Sequence, residues 1–293
     1  MAEEYYLGNP LLKKANSELE FTNEQVIEFA RCSVDPVYFA NKYVKIVTLD
    51  HGLQPFTMWD FQERMLRDFH NYRFNICKLP RQVGKSTTVV AYLLHYTIFN
   101  SDANIAVLSN KASSSRDILQ RFQTAYENLP KWLQHGVLSW NKGSIELENK
   151  SRIFAESTSA SSVRGRTYNV IFLDEFAFVP NQLADSFFNS VYPTIISGDS
   201  SKVIIVSTPL GMNHFYKMWM KAKKGESQYN PIEIRWNDVP GRDEKFREET
   251  IANTSLAQFN QEFCSVLYET QIEIERDGIR QKVPIGELYE SML

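Results

Sequence analysis

The sequence predicts an α/β fold: a parallel sheet flanked by helices, a small helical subdomain, and a short C-terminal β-hairpin plus helix. Three apolar runs carry the prediction. Phe74-Asn75-Ile76-Cys77-Lys78-Leu79 leads through a tight loop into the helical pattern of Val89, Val90, Leu93, Leu94 and Ile98. Val170-Ile171-Phe172-Leu173 ends in two adjacent carboxylates, Asp174 and Glu175, and Lys202-Val203-Ile204-Ile205-Val206 ends in Ser207-Thr208-Pro209. Strands that are apolar along their length and polar only at their tips suit a parallel sheet, where ligands collect at the carboxyl ends.

The loop after the first run reads Arg81-Gln82-Val83-Gly84-Lys85-Ser86-Thr87-Thr88. Strand, tight loop ending in Gly-Lys-Ser, then helix is the order that cradles a nucleoside triphosphate, because loop N–H groups and the helix N-terminus face the phosphates. Lys85 is expected to neutralise phosphate charge and the Ser86 hydroxyl to ligate Mg²⁺, with Gln82, Gly84 and Thr87 completing the cradle. One departure stands out: the usual first glycine of the motif is Leu79. Asp174 is expected to hold Mg²⁺, and Glu175 to orient and deprotonate an attacking water. An exposed Asp-Glu pair capping a helix is the alternative; the Gly-Lys-Ser loop in the same chain favours ATP hydrolysis. Hydroxyls of Ser207 and Thr208 at the neighbouring tip are expected to face the nucleotide and sense its γ-phosphate.

With 293 residues the chain has room for about two domains. Its 43% hydrophobic and 23% charged content is ordinary for a globular protein, and a net charge of −3 gives no overall basic signal for nucleic acid. Any DNA-binding surface is therefore local or supplied by a partner. Cys32, Cys77 and Cys264 lack metal-site spacing or a disulfide framework. An acidic Met1-Ala2-Glu3-Glu4 start argues against a signal peptide, and no apolar run is long enough to cross a membrane.

Along the chain, residues 1 to about 20 read as a polar arm, within an N-terminal helical region to 55. Thr22-Asn23-Glu24-Gln25 is a capping box opening a helix, and Asp35-Pro36 opens another. Gly52-Leu53-Gln54-Pro55-Phe56 reads as a turn. A helix from Trp59 precedes the nucleotide loop, so Gln62 and Phe61 are candidates to read and stack an adenine; a surface Gln and a core Phe are the plainer alternative. Asn104–Ser109 reads as a strand, Ser113 as the N-cap of a helix to Glu127, and residues 136–160 as a hairpin turning at Asn149-Lys150. Arg164 and Arg166 precede the acidic strand and read as phosphate or DNA contacts, or as a charged loop. A helix is expected over 212–224. The ATPase core is thus 56–224, followed by a small charged helical subdomain over 225–263.

Three stretches together resemble the large terminase of tailed myoviruses: Arg81–Ser86, the run from Val163-Arg164-Gly165 to Asp174-Glu175-Phe176-Ala177-Phe178, and Ser207-Thr208-Pro209-Leu210-Gly211-Met212-Asn213-His214-Phe215-Tyr216. The likeness covers roughly residues 5 to 263, the absent glycine included. It implies a RecA-like (ASCE P-loop) ATPase that drives double-stranded DNA through a portal protein into a procapsid. It further implies a homo-oligomeric ring, a small terminase subunit as partner, and the cytoplasm of an infected bacterium as location. On this likeness Arg81 is the arginine finger on the transition-state charge, Gln62 the adenine reader, and Ser207-Thr208 the coupling motif. The family's nuclease half, with its acidic metal cluster, has no counterpart expected in this sequence. A superfamily-2-like helicase and a non-hydrolysing nucleotide sensor are the alternatives.

At Cys264 the pattern changes. A leading Cys, Thr270 six residues on, strict alternation over Gln271–Glu275, an Asp277-Gly278 turn and Ile285-Gly286-Glu287-Leu288-Tyr289 resemble the N-terminal block of an atypical split intein. Residues 264–293 would then be an N-intein. Its Cys264 thiolate would attack the Phe263 carbonyl, and a separate C-intein fragment would carry the nuclease half. Two departures are Tyr268-Glu269 before the threonine and the lack of a following histidine. An ordinary linker with a buried cysteine is the alternative.

Overall fold

The strand–loop–helix unit forms as expected, with β3 (Phe74–Lys78) buried along its whole length and α4 (Lys85–Phe99) starting directly at the loop. The computed structural model describes residues 5–48, 50–159, 167–196, 198–263, 271–276, 279–284 and Leu288. Arg164, Arg166, Cys264, Thr270 and the Asp277-Gly278 turn lie outside them.

Before β3 come α1 (Asn23–Val34), α2 (Pro36–Tyr43), the antiparallel pair β1 (Lys45–Thr48) and β2 (Gly52–Pro55), and α3 (Asp60–Asn71). The Thr22 capping box closes in both directions, Thr22 N–H to Gln25 Oε1 at 3.0 Å and Gln25 N–H to Thr22 Oγ1 at 3.3 Å. Asp35 caps α2 through Val37 and Tyr38 N–H, at 2.9 and 3.0 Å. Gly52–Pro55, expected as a turn, is a strand; its proline sits at the strand end, where a missing N–H costs no ladder bond.

After α4 follow β4 (Asn104–Ser109), α5 (Ala112–Glu127), β5 (Val137–Trp140), β6 (Ser144–Leu147), β7 (Arg152–Ser157) and β8 (Val170–Asp174). Then come α6 (Asn181–Ile196), β9 (Lys202–Ser207), α7 (His214–Lys223), β10 (Asn230–Glu233), α8 (Glu244–Asn253), α9 (Leu256–Glu262), β11 (Gln271–Arg276) and β12 (Ile279–Pro284). The main sheet has eight strands in the order β10-β3-β9-β8-β4-β7-β6-β5. It is parallel from β10 to β7 and antiparallel through β6 and β5. One apolar layer joins the sheet to α2–α5, and a second joins its other face to α6 and α7.

Three expectations shift. Residues 5–20 are not merely a polar arm: Leu12 is buried, and Lys13 carbonyl accepts the Val137 N–H at 2.9 Å. Helix α5 begins at Ala112, which puts Ser113 inside its first turn, and α7 begins at His214. Region 225–263 is not wholly helical, since β10 adds a strand beside β3. The hairpin turning at Asn149-Lys150 forms as read, with Lys150 at φ 65°. The alternating tail forms β11 and β12, paired Gln271 to Pro284 through Arg276 to Ile279. Among the described residues no helix is long and apolar enough to cross a membrane.

Candidate active site

Strand β9 lies between β3 and β8, so the three polar tips open onto one end of the sheet. The loop between β3 and α4 needs two left-handed residues, Gln82 (φ 58°) and Gly84 (φ 69°). Gly84 is required for a second reason: a Cβ there would lie 2.5 Å from Gln62 Nε2. That same Nε2 donates to Val83 O at 3.2 Å, while Gln62 Oε1 accepts the Trp59 N–H at 3.0 Å. Gln62, only 3% exposed, therefore clamps the start of α3 to the nucleotide loop. Phe61 is a core residue, 6% exposed with its ring 5.4 Å from that of Trp59, which leaves little ring surface for a base. Trp59 is the more exposed aromatic beside it.

Lys85 and the acidic pair converge. The Lys85 ammonium forms an ion pair with Glu175 Oε1, and Glu175 Oε2 accepts a hydrogen bond from Thr208 Oγ1 at 3.2 Å. Glu175 sits in the left-handed region at φ 49° and opens a 3-10 turn over Phe176–Phe178. A non-glycine residue held there by two partners is locally strained, which is common at functional sites. Asp174 is buried, and its Oδ1 has no hydrogen-bond partner among the described residues. Burial pushes its carboxyl up to about 6, opposed by the Lys85 charge and reinforced by Glu175. An orphaned buried carboxylate oxygen at the same end of the sheet as a loop serine fits a hard divalent cation such as Mg²⁺, which takes one or two protein oxygens and completes its shell with phosphates and water.

Ser207 and Thr208 divide their work. Ser207 is fully buried; its hydroxyl donates to Thr208 O at 2.7 Å and accepts the Ala177 N–H at 3.0 Å, so it orders backbone and does not face a ligand. Of the two, it is Thr208 that reaches Glu175. Ser86 stands in the first turn of α4, and Thr87 lines a cleft of about 460 Å³ between β1, α4 and α5.

Two residues invisible in the sequence complete the loop. Arg242 donates from Nη1 to Arg81 O at 3.1 Å and from Nη2 to Gln82 O at 2.9 Å, with its guanidinium over the Phe246 and Phe263 rings. Glu262, at the end of α9, accepts the Arg81 N–H on its carbonyl at 3.0 Å and pairs its carboxylate with the Arg81 guanidinium. No spacing pattern links residues so far apart in the chain.

The sequence profile described as "Terminase large subunit, T4likevirus-type, N-terminal" matches residues 76–271, from β3 through the start of β11. The chain belongs to the terminase large-subunit family. Within it, the matching profile is the one for the N-terminal region of the subunit. The large terminase ATPase domain of Thermus phage P74-26 superposes with a TM-score of 0.58 at 18% identity, covering 71% of this chain and 92% of that one. The large terminase of bacteriophage HK97 gives 0.59 at 16% identity, covering 75% and 47%. The large terminase of a thermophilic bacteriophage, solved in complex with ADP, gives 0.56 at 14% identity, covering 73% and 55%. These likenesses show a shared RecA-like α/β fold, and the chain spans about half the length of the latter two terminases.

Proposed function

We propose that this chain binds Mg²⁺–ATP at the convergence of the three strand tips and hydrolyses it to move double-stranded DNA. The observation that carries the proposal is the pairing of Lys85 with Glu175 beside the unpartnered oxygen of Asp174. One terminase of the same fold, solved with ADP and again with ATP-γ-S, supports nucleotide binding. Ser86 and Asp174 are the residues that would hold Mg²⁺, whose charge, when bound, draws electron density from the phosphate oxygens. Lys85 contributes a mobile point charge for the β/γ-phosphates. Glu175, oriented by Thr208, accepts the proton of the attacking water, and Arg81 is the finger for charge in the transition state. Double-stranded DNA, a portal protein, a small terminase subunit and further copies of the chain in a ring are the partners, in the host cytoplasm. Steady-state ATP turnover of wild type, Lys85→Ala and Glu175→Ala tests this reading; a wild type that binds ATP without turnover would make the chain a nucleotide sensor.

We also infer that the chain is a half-precursor for protein splicing in trans, with Cys264 the nucleophile on Phe263. Support comes from the antiparallel β11–β12 hairpin that follows at the intein-like alternation. Mixing the chain with a matching C-intein fragment carrying the nuclease half should ligate the wild type and leave Cys264→Ala unjoined. Ligation of both, or of neither, would return residues 264–293 to an ordinary linker.

A further inference from the structure

We propose that a cleft between α6 and α7 holds a backbone phosphate of duplex DNA, an assignment that rests on the DNA-motor reading above. The cleft measures about 250 Å³ and is lined by Asn181 and Asp185 of α6 and by His214, Lys217, Met218 and Lys221 of α7. The α7 residues recur every three or four positions, so they share one face of the helix. The volume is below the usual range for a small organic ligand but ample for a single charged group.

The charges in the cleft are unevenly matched. The Asp185 carboxylate is engaged by His214 Nδ1 at 2.7 Å. Lys217 and Lys221 are exposed and have no carboxylate partner among the described residues. Lys223, on the other side of the same helix, does have one: it lies 3.6 Å from Glu233 and over the Trp219 ring. Two uncompensated ammonium groups one turn apart form a surface for an anion, and strand-tracking phosphates are the anions a DNA motor meets. His214 adds direction. Its ring stacks on Phe188 at 5.3 Å and meets Phe176 edge-on at 6.1 Å. With Nδ1 engaged by Asp185 and the ring stacked on Phe188, His214 fixes the wall of the cleft and leaves the anion contacts to the two lysines.

The cleft is also wired to the acidic tip. His214 N–H donates to Asn181 Oδ1 at 2.9 Å, and Asn213 Nδ2 donates to Ala177 O at 2.6 Å and to Leu210 O at 2.9 Å. Ala177 belongs to the 3-10 turn that Glu175 opens. A phosphate gripped by α7 therefore pulls on the backbone that aims Glu175.

The test is duplex-DNA binding by the full chain, read by fluorescence anisotropy over a salt series with ATP-γ-S present. The variants are Lys217→Gln/Lys221→Gln and, as a control on a distant exposed lysine, Lys245→Gln. Loss of two phosphate contacts should weaken binding on the order of tenfold and flatten the slope of log K against log salt by about two, with the control unchanged. A double variant with the wild-type slope overturns this assignment and leaves the motor reading standing. A wild type that binds no duplex DNA overturns both. Inorganic phosphate that displaces DNA at constant ionic strength would make the cleft a free-anion site and overturn its assignment to DNA.

Discussion

Arg81 is fastened to Glu262 twice, through its backbone N–H at 3.0 Å and through its guanidinium. The arginine proposed to meet transition-state charge is thereby held by the last residue of α9. The ion pair is half exposed and contributes little to stability, below about 1 kcal/mol. Its effect should fall on catalysis. Glu262→Gln is expected to raise ATP turnover several-fold with an unchanged melting temperature, and Arg81→Ala to lower it by about 10³ or more. Phosphate-release kinetics check both; equal turnover in Glu262→Gln and wild type would show that the pairing does not restrain the arginine.

Lys85 faces two claims, one from nucleotide phosphates and one from Glu175. Glu175→Gln keeps the shape and removes the base, so ATP affinity is expected to persist or tighten while turnover falls by about 10²–10⁴. Lys85→Ala is expected to lose affinity as well. Binding of a fluorescent ATP analogue, measured beside turnover, separates the two.

Asp174 should cost the fold stability when no cation is bound. Its carboxyl is raised to about 6 by burial, so the native state takes up a proton more readily than the unfolded chain does. Stability from this group is accordingly lost as pH rises from about 4 to 6 and stays lost above. In chelator at neutral pH, Asp174→Asn is expected to raise stability by up to about 3 kcal/mol while abolishing Mg²⁺-dependent turnover. Denaturant melts in EDTA read the first effect.

His95 acts with the opposite sign over the same interval. It is 2% exposed, its Nε2 lies 2.9 Å from Cys32 O, and burial pushes it down to about 4. The unfolded chain binds the proton first, so stability falls as pH drops from about 6.5 through 4, by about 3 kcal/mol in all. A His95→Gln variant is expected to lose that part of the pH dependence; an unchanged difference curve between pH 4 and 6.5 would refute the assignment.

Gly136 tests the docking of the N-terminal arm. A Cβ there would come within 2.4 Å of Ala15 Cα, and Glu148 bridges Gly136 N–H at 2.6 Å and Asn16 N–H at 3.0 Å. Gly136→Ala is expected to destabilise by about 1–3 kcal/mol and to speed protease cleavage near residues 5–16. Timed proteolysis followed by mass spectrometry checks it.

What the sequence made legible was local. Buried parallel strands announce themselves as unbroken apolar runs, and caps such as Thr22 and Asp35 act within a turn, so β3, β4, β8, β9, α1 and α2 were all readable. Strand β10 was not: Asn230-Pro231-Ile232-Glu233 is four residues long, contains a proline and sits at the sheet edge, where pairing with β3 supplies the order that periodicity does not. Likewise Lys85, Asp174 and Glu175 carry their chemistry in their neighbours, whereas Ser207 gives no sign that its hydroxyl serves backbone. Arg242 and Glu262 find the loop only through tertiary packing.

Strand β10 has a mechanical consequence. Ile234 N–H donates to Lys78 O at 3.1 Å on one side of the phosphate loop, and Glu262 grips Arg81 on the other. The chain from 234 to 262 thus stands astride that loop like a stirrup, one foot on the strand before it and one on the arginine within it. A tilt of that segment would twist the loop between β3 and α4 from both ends at once, which joins α8 mechanically to Gly84 and Lys85.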